Sequence, residues 1–240
     1  MPDSSPIELI DLRSDVHEPA VRRALCGDFF ERVYRPAFPR RDETESPDDW
    51  LPLLDNDPPP PSPILHVIVA RRGDESVAGV LIEYYRASRS ALVTYIAVAP
   101  GARQSGLARR LLLDAIARVT ADNGGVRPPI FAEVERPEAQ TDAGERRIAE
   151  RRATIITALG GRRIGLSYIQ PRLGPDKQPV QDLMLVLLTP DQAPPQSLPT
   201  ESIRVFLVEF FDSLGQREAP ELVRVLNSLP SNVTPLGALH

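Results

Sequence analysis

Residues 93 to 118 read VTYIAVAPGARQSGLARRLLLDAIAR. A β-branched and aromatic run stops at Pro100-Gly101, passes Arg103 and Gly106, and opens into Leu111, Leu112, Ala115, Ile116 and Val119 at helical spacing. The junction is therefore strand, tight turn, helix. The first turn of a helix carries amides with no intrahelical acceptor and the positive end of the helix dipole, so it suits an anion. Gly106 removes a side chain that would block the approach, and Ala108 lets the helix sit close to its neighbours. Read this way, the turn is a cradle for a pyrophosphate. The other reading of the same residues is close helix–sheet packing. A second chemical feature is IFAEVE, where strand alternation puts Glu133 and Glu135 on one face with Phe131 behind them. Such carboxylates can take a proton if partial desolvation raises their pKa, or serve as rim charges paired with arginine.

Several other chemistries are excluded. No Gly-Lys-Ser or Gly-Lys-Thr triplet follows the turn, so it is not a nucleotide-triphosphate loop. A dinucleotide fold would place its glycines after the first strand of a βαβ unit, whereas three strands precede this turn. The histidines His17, His66 and His240 lie in separate segments without metal-ligand spacing, so no metal is expected. His66, inside ILHVIVA, reads as a strand residue. Cys26 is the only cysteine, among Val21, Leu25 and Phe29, which excludes an intrachain disulfide and suits a buried thiol. No Cys or Ser stands beside a His, so no covalent acyl-enzyme is expected.

The chain has 240 residues, 42% hydrophobic and 25% charged, with a formal charge of −5. That is ordinary for a folded protein with one generous domain and an appendage, and it lacks the basic footprint of nucleic-acid binding. Lys177 is the sole lysine, a bias toward arginine that suits a GC-rich, bacterial-like genome. The first fifteen residues have no signal-peptide pattern and no window is apolar enough for a membrane span, so a cytoplasmic protein is expected.

Around the turn, the elements follow a regular order. Ile7 to Leu12 reads as a strand, and His17 to Tyr34 as a helix with Val21, Leu25, Phe29 and Val33 on one side. SPDDWL is a short helix capped by Ser46, with Pro47 at its first position. After the stiff DNDPPPPSP come ILHVIVA, VAGVLIEYY and ALVTYIAV, divided by short polar connections that imply antiparallel hairpins. The helix from the turn leads to IFAEVE by a crossover that predicts parallel flanking strands. A basic helix then runs from Gly144 to Leu159 with Ile148, Ile155, Ile156 and Leu159 inward and Gly160 as its terminator. Strands RRIGLSYIQ and VQDLMLVLL follow. A proline-rich linker spans 191-199, and beyond it Thr200 caps a helix carrying Ile203, Phe206, Leu207, Phe210 and Phe211. Pro220 starts another. Their apolar stripe must pack on the main domain or on a second subunit.

The sequence VAPGARQSGLA, with Val98, Pro100, Arg103, Gly106 and Ala108 in place, resembles the signature of the GNAT superfamily of acyl-CoA-dependent N-acetyltransferases. The order of elements agrees from Ile7 to about Leu188. The resemblance implies an α/β fold with a mixed, largely antiparallel sheet of about seven strands flanked by helices in a domain spanning 1-190, and it leaves unexplained the C-terminal helical extension at 200-240. It also implies transfer of an acetyl group from acetyl-CoA to a primary amine of a small molecule or peptide by direct attack in a ternary complex. In that scheme Arg103, Gln104, Ser105, Gly106, Leu107 and Ala108 hold the coenzyme pyrophosphate. Ile96, Ala97 and Val98 pair with the pantetheine arm. Arg109 and Arg110 either reach further phosphates or are solvated cations.

Glu133 resembles the base of ribosomal-protein N-terminal acetyltransferases, where a Glu precedes Val on this strand. Ile156 stands where the family usually has its tyrosine acid, which leaves Tyr95, Tyr168 or water for that role. Glu83, Tyr85 and Glu135 are candidate acceptor contacts. The missing tyrosine also motivates a second reading, a non-catalytic acyl-CoA-binding regulatory module. The C-terminal helices are candidates for a homodimer interface or for a lid. Nucleic acid and membrane are not expected partners.

Overall fold

The computed structural model describes residues 6–38, 40 and 44–239. His240 lies outside them. The fold is mixed α/β, with mostly antiparallel strands and helices packed on them. Its residues fall into two units, 1–59 with 63–84 and 93–127, and 60–62 with 85–92 and 128–240.

In the first unit β1 (Ile7–Asp11) pairs antiparallel with β2 (Ile64–Arg72), which pairs antiparallel with β3 (Glu75–Tyr85). β4 (Ser90–Val98) follows. The apolar, β-branched run of β2 is buried from Ile64 to Ala70, as a strand covered on both faces should be. α1 (Pro19–Phe29) continues through one π-helical turn, Phe30–Tyr34, into α2 (Arg35–Ala37). Val21 was expected on the apolar side of this helix but is 43% exposed, while Arg22 is buried. The guanidinium holds that position because it donates to the carbonyls of Leu12 and Val16 and pairs with Asp55. α3 (Pro47–Asp55) starts in a capping box between Ser46 and Asp49 and runs on past Pro52. Cys26 is buried, and burial pushes its thiol up to about 12.

In the second unit β5 (Ile130–Glu135) pairs with β7 (Leu183–Leu188), β7 with β6 (Gly161–Ile164), β6 with β9 (Val233–Gly237) and β9 with β8 (Ser197–Pro199), all antiparallel. The described strands number nine against about seven expected. The extra pair is β8, inside the proline-rich stretch, and β9, after the last helix. RRIGLSYIQ is a strand only to Ile164; its end is a loop in which Gln170 bridges Val180.

α5 (Ala143–Ala158) buries Ala149 and Ala153, whereas Ile148 and Ile155, expected inward, are 54% and 49% exposed. Small residues on the packing side bring a helix close to its sheet, and here that outweighs the larger apolar area of the isoleucines. Gly160 terminates the helix at φ +81°, where an added Cβ would lie 2.3 Å from the Thr189 carbonyl oxygen.

α6 (Thr200–Ser213) and α7 (Pro220–Asn227) cover their apolar stripe within the unit. Ile203, Phe206, Phe210 and Phe211 join Phe131, Ile164, Leu185 and Leu187 in one core cluster. Phe206 stacks on Phe131 at 4.5 Å and meets Tyr85 edge-on at 5.6 Å. Thr200 is the first helical residue and not the cap; Pro199 takes the cap position, and the Thr200 hydroxyl bonds Thr234 at 2.9 Å. No helix among the described residues is long and apolar enough to cross a membrane.

Candidate functional site

In the first unit β4 ends at Val98, and a 3-10 turn, Pro100–Ala102, leads to α4 (Leu107–Asp122). The chain can turn so sharply because Gln104 at φ +62° and Gly106 at φ +73° both adopt left-handed backbone. An added Cβ on Gly106 would meet nothing within 4 Å, so the glycine serves the backbone angle and leaves the outer side open. The turn is braced from within. Ala102 N donates to Ala99 O at 2.9 Å, Ser105 Oγ to Ala102 O at 2.7 Å, and Arg103 Nε to Val98 O at 3.2 Å. The first helical bond of α4 is Arg110 N to Gly106 O, 3.1 Å. Among the described residues, the amides of Gln104, Ser105, Gly106, Leu107, Ala108 and Arg109 therefore have no protein acceptor. Arg103, Gln104, Ser105 and Gly106 are exposed. Unpaired amides at a helix start with solvent access make an anion cradle.

On β4, Ile96 and Val98 are half-buried and Ala97 is buried. Arg110 donates to the Ile7 carbonyl at 3.3 Å, and Arg109 is exposed. Tyr95 is placed in an aromatic cluster, 4.7 Å from the Tyr34 ring and 5.2 Å from Phe38. Burial raises the Tyr34 phenol above its ordinary pKa, and the Glu45 amide donates to its oxygen at 2.9 Å. Glu83 is buried on β3.

The second unit brings Glu133 and Tyr168 together and adds Gln170. The Tyr168 hydroxyl donates to Glu133 Oε1, and Gln170 Nε2 donates to Glu133 Oε2 at 2.8 Å. Burial, then the charge of Glu133 and the hydrogen bond to it, raise the Tyr168 phenol well above its usual pKa. The phenol therefore keeps its proton and acts as a donor. Glu135 pairs with Arg152, and the Tyr85 ring is buried against Phe206 and Phe210. Gln170 was missed, although its i+2 spacing from Tyr168 in SYIQ is the strand-like signal that sets two side chains side by side.

A cluster in the first unit was also missed. His66, buried in β2, bonds Asp11 Oδ2 through Nδ1 at 2.7 Å and Asp122 Oδ2 through Nε2 at 2.8 Å. Burial opposes a charge on this ring, but the two hydrogen bonds and the two carboxylate charges outweigh it and raise the imidazole to about 9. Asp11 is likewise buried, yet His66 and Ser14 hold its carboxyl below the usual range. Arg118 closes the cluster by pairing with Asp15 at 3.1 Å and Asp114 at 3.5 Å. Among the described residues, no group of three or more His, Cys, Asp or Glu is arranged to hold a metal ion.

Residues 27–143 match the model of the acetyltransferase (GNAT) family. A GNAT-family acetyltransferase structure from Bacteroides thetaiotaomicron is similar over 88% of this chain and 98% of its own, at 16% identity and a TM-score of 0.56, which shows a shared fold. The Salmonella typhimurium acetyltransferase yncA, solved with acetyl-CoA, covers 80% of this chain and 98% of its own at 16% identity and a TM-score of 0.45. The ribosomal-protein-S18-alanine N-acetyltransferase of Escherichia coli covers 79% and 97% at 16% identity and a TM-score of 0.44. No curated protein matches in sequence.

Proposed function

Residues 27–143 match the model of the acetyltransferase (GNAT) family, and from that match and the turn before α4 we propose that this chain carries an acetyl group from acetyl-CoA to a primary amine of a small molecule or peptide, by direct attack in a ternary complex. The observation that carries the reading is the run of six amides from Gln104 to Arg109 without protein acceptors, in an exposed turn that opens α4. A pyrophosphate supplies the acceptor oxygens such a turn lacks, and the open space beside Gly106 admits it.

Bound acetyl-CoA supplies an activated thioester carbonyl and a thiol leaving group. The chain supplies the rest. Arg103 to Ala108 grip the pyrophosphate, Ile96 to Val98 align the pantetheine arm as an added strand would, and a main-chain amide near Val98 polarises the carbonyl. Glu133 takes the proton that an ammonium must lose before it can attack. Tyr168 and Gln170 fix the carboxylate by donating to one oxygen each. The Tyr168 proton is committed to Glu133 and Ile156 offers none, so protonation of the leaving thiolate falls to Tyr95 or water.

The test is calorimetric titration with acetyl-CoA, then release of coenzyme A thiol with a panel of amines, free-amino peptides and aminoglycosides. Binding with turnover supports the reading. Neither heat nor a shift in melting temperature with acetyl-CoA overturns it. Ile156 favours a second reading, a binding module without turnover, and Glu133→Gln separates the two. An enzyme loses turnover by about 100-fold or more with coenzyme affinity kept, whereas a regulatory module has none to lose.

A further inference from the structure

Gln170 holds an unusual position. Its main chain is pinned on both sides, with N donating to Val180 O at 2.9 Å and O accepting from Val180 N at 3.1 Å. Its side chain is 4% exposed, and the amide orientation is fixed by chemistry. Glu133 only accepts when ionised, so the NH₂ end bonds it and the oxygen takes the other arm of the same planar amide. That oxygen, Oε1, is buried and has no hydrogen-bond partner among the described residues. A buried amide oxygen without a donor is costly, and the ordinary outcome in a folded protein is that a donor is found. Tyr168 cannot serve, since its hydroxyl is given to Glu133.

We propose that Gln170 Oε1 and the Glu133 carboxylate form a two-acceptor seat for the acceptor nitrogen, which makes Gln170 a substrate-binding residue and selects primary amines over alcohols. The assignment rests on the transferase reading above. A primary ammonium has three N–H donors and the neutral amine two, enough to bond both partners at once. An alcohol has one and leaves an acceptor unpaired, a loss that hydrogen-bonding sites convert into strong discrimination. Glu133 is half-buried and the more exposed of the pair, so the cation meets the carboxylate first and then bonds the amide oxygen out of water. The amide also works in two directions: Nε2 steadies Glu133 while Oε1 receives the substrate.

The experiment compares wild type, Gln170→Met and Gln170→Glu with a primary amine that the wild type acetylates, reading KM and kcat separately, with acetyl-CoA affinity and melting temperature as controls. Met keeps the length and removes both hydrogen-bonding ends. Glu restores an acceptor but loses the donor to Glu133. A substrate acceptor predicts that KM for the amine rises roughly ten- to a hundred-fold in the Met variant and returns to or below the wild-type value in the Glu variant, with acetyl-CoA affinity unchanged in both. Equal KM in all three, or equal losses in Met and Glu, overturns the assignment, because a purely structural partner of Glu133 is broken by both changes. In wild type, which needs no variant to fold, the matching alcohol must be a far poorer acceptor than the amine, and comparable rates overturn it as well. A wild type that binds acetyl-CoA but acetylates no primary amine overturns both this seat and transfer to amines. Turnover of amines with KM indifferent to Gln170 overturns the seat alone.

Discussion

His66→Gln tests the physical account of the first unit, because the imidazole is the one group there whose charge the fold creates. The rise from 6.5 to about 9, at about 1.4 kcal/mol per pH unit, amounts to about 3 kcal/mol of linkage. The sign follows from the direction. A folded pKa above the unfolded one stabilises fully below pH 6.5, weakens as pH rises, and is exhausted above about 9. Asp11 works at the other end, since its lowered carboxyl loses its contribution as pH falls below the ordinary 3.8. The two shifts describe one coupled pair and are not summed.

Urea unfolding of wild type between pH 6 and 9 should therefore lose about 3 kcal/mol. In the Gln variant that slope should vanish, with stability at pH 6 lower by roughly 3–5 kcal/mol because buried Asp11 loses its counter-charge. Cys26, raised to about 12, adds a decline only above pH 9, and it is common to both proteins. A wild-type stability flat from pH 6 to 9, or an unchanged slope in the variant, refutes a charged His66.

Further outcomes follow from single contacts. Gly106→Val forces a β-branched residue into φ +73°, which costs about 1–2 kcal/mol of stability and weakens acetyl-CoA binding measured by calorimetry, while melting of the apo protein shifts only by that amount. Phe206→Ala removes a fully buried ring stacked on Phe131 and should cost about 3–5 kcal/mol in denaturant unfolding. Glu209→Ala strips the Ala87 and Ser88 amides of their carboxylate, bonded at 2.8 and 2.7 Å, for a loss of roughly 2–3 kcal/mol and faster hydrogen exchange at those two amides. The Cys26 thiol should resist a disulfide reagent at pH 8 until the chain is unfolded, because burial keeps it protonated.

The strand–turn–helix junction was legible in the sequence because it is local. A strand, a Pro-Gly, a glycine and a helix within about fifteen residues fix the backbone angles and leave the amides unpaired whatever lies elsewhere. The helices erred where packing is decided at a distance. Nothing within α1 says that Arg22 faces inward, since its acceptors are on Leu12, Val16 and Asp55. Ile148 and Ile155 look like a core face until β5 and β6 require the close approach that Ala149 and Ala153 allow. β8 and β9 were hidden because each is short, carries a proline, and becomes a strand only through distant pairing, β8 with β9 and β9 with β6 as well.

The same distinction explains why the Glu133 carboxylate could be named from sequence but its surroundings could not. Alternation along IFAEVE selects the residue; its partners arrive from a loop 35 and 37 positions later. That loop is held by the Gln170–Val180 bridge, so the partners of Glu133 depend on a backbone pairing that composition does not announce. In the proposed reaction Glu133 is the base, and the donors from Tyr168 and Gln170 favour its charged form, as hydrogen bonds to a carboxylate do. Tyr168→Phe therefore should not behave as the loss of an acid. It removes one donor from Glu133 and leaves the thiolate's proton source untouched. The expected result is a shift of the acidic limb of the kcat/KM profile to higher pH with the alkaline limb unchanged. A lost alkaline limb would instead make Tyr168 the proton donor.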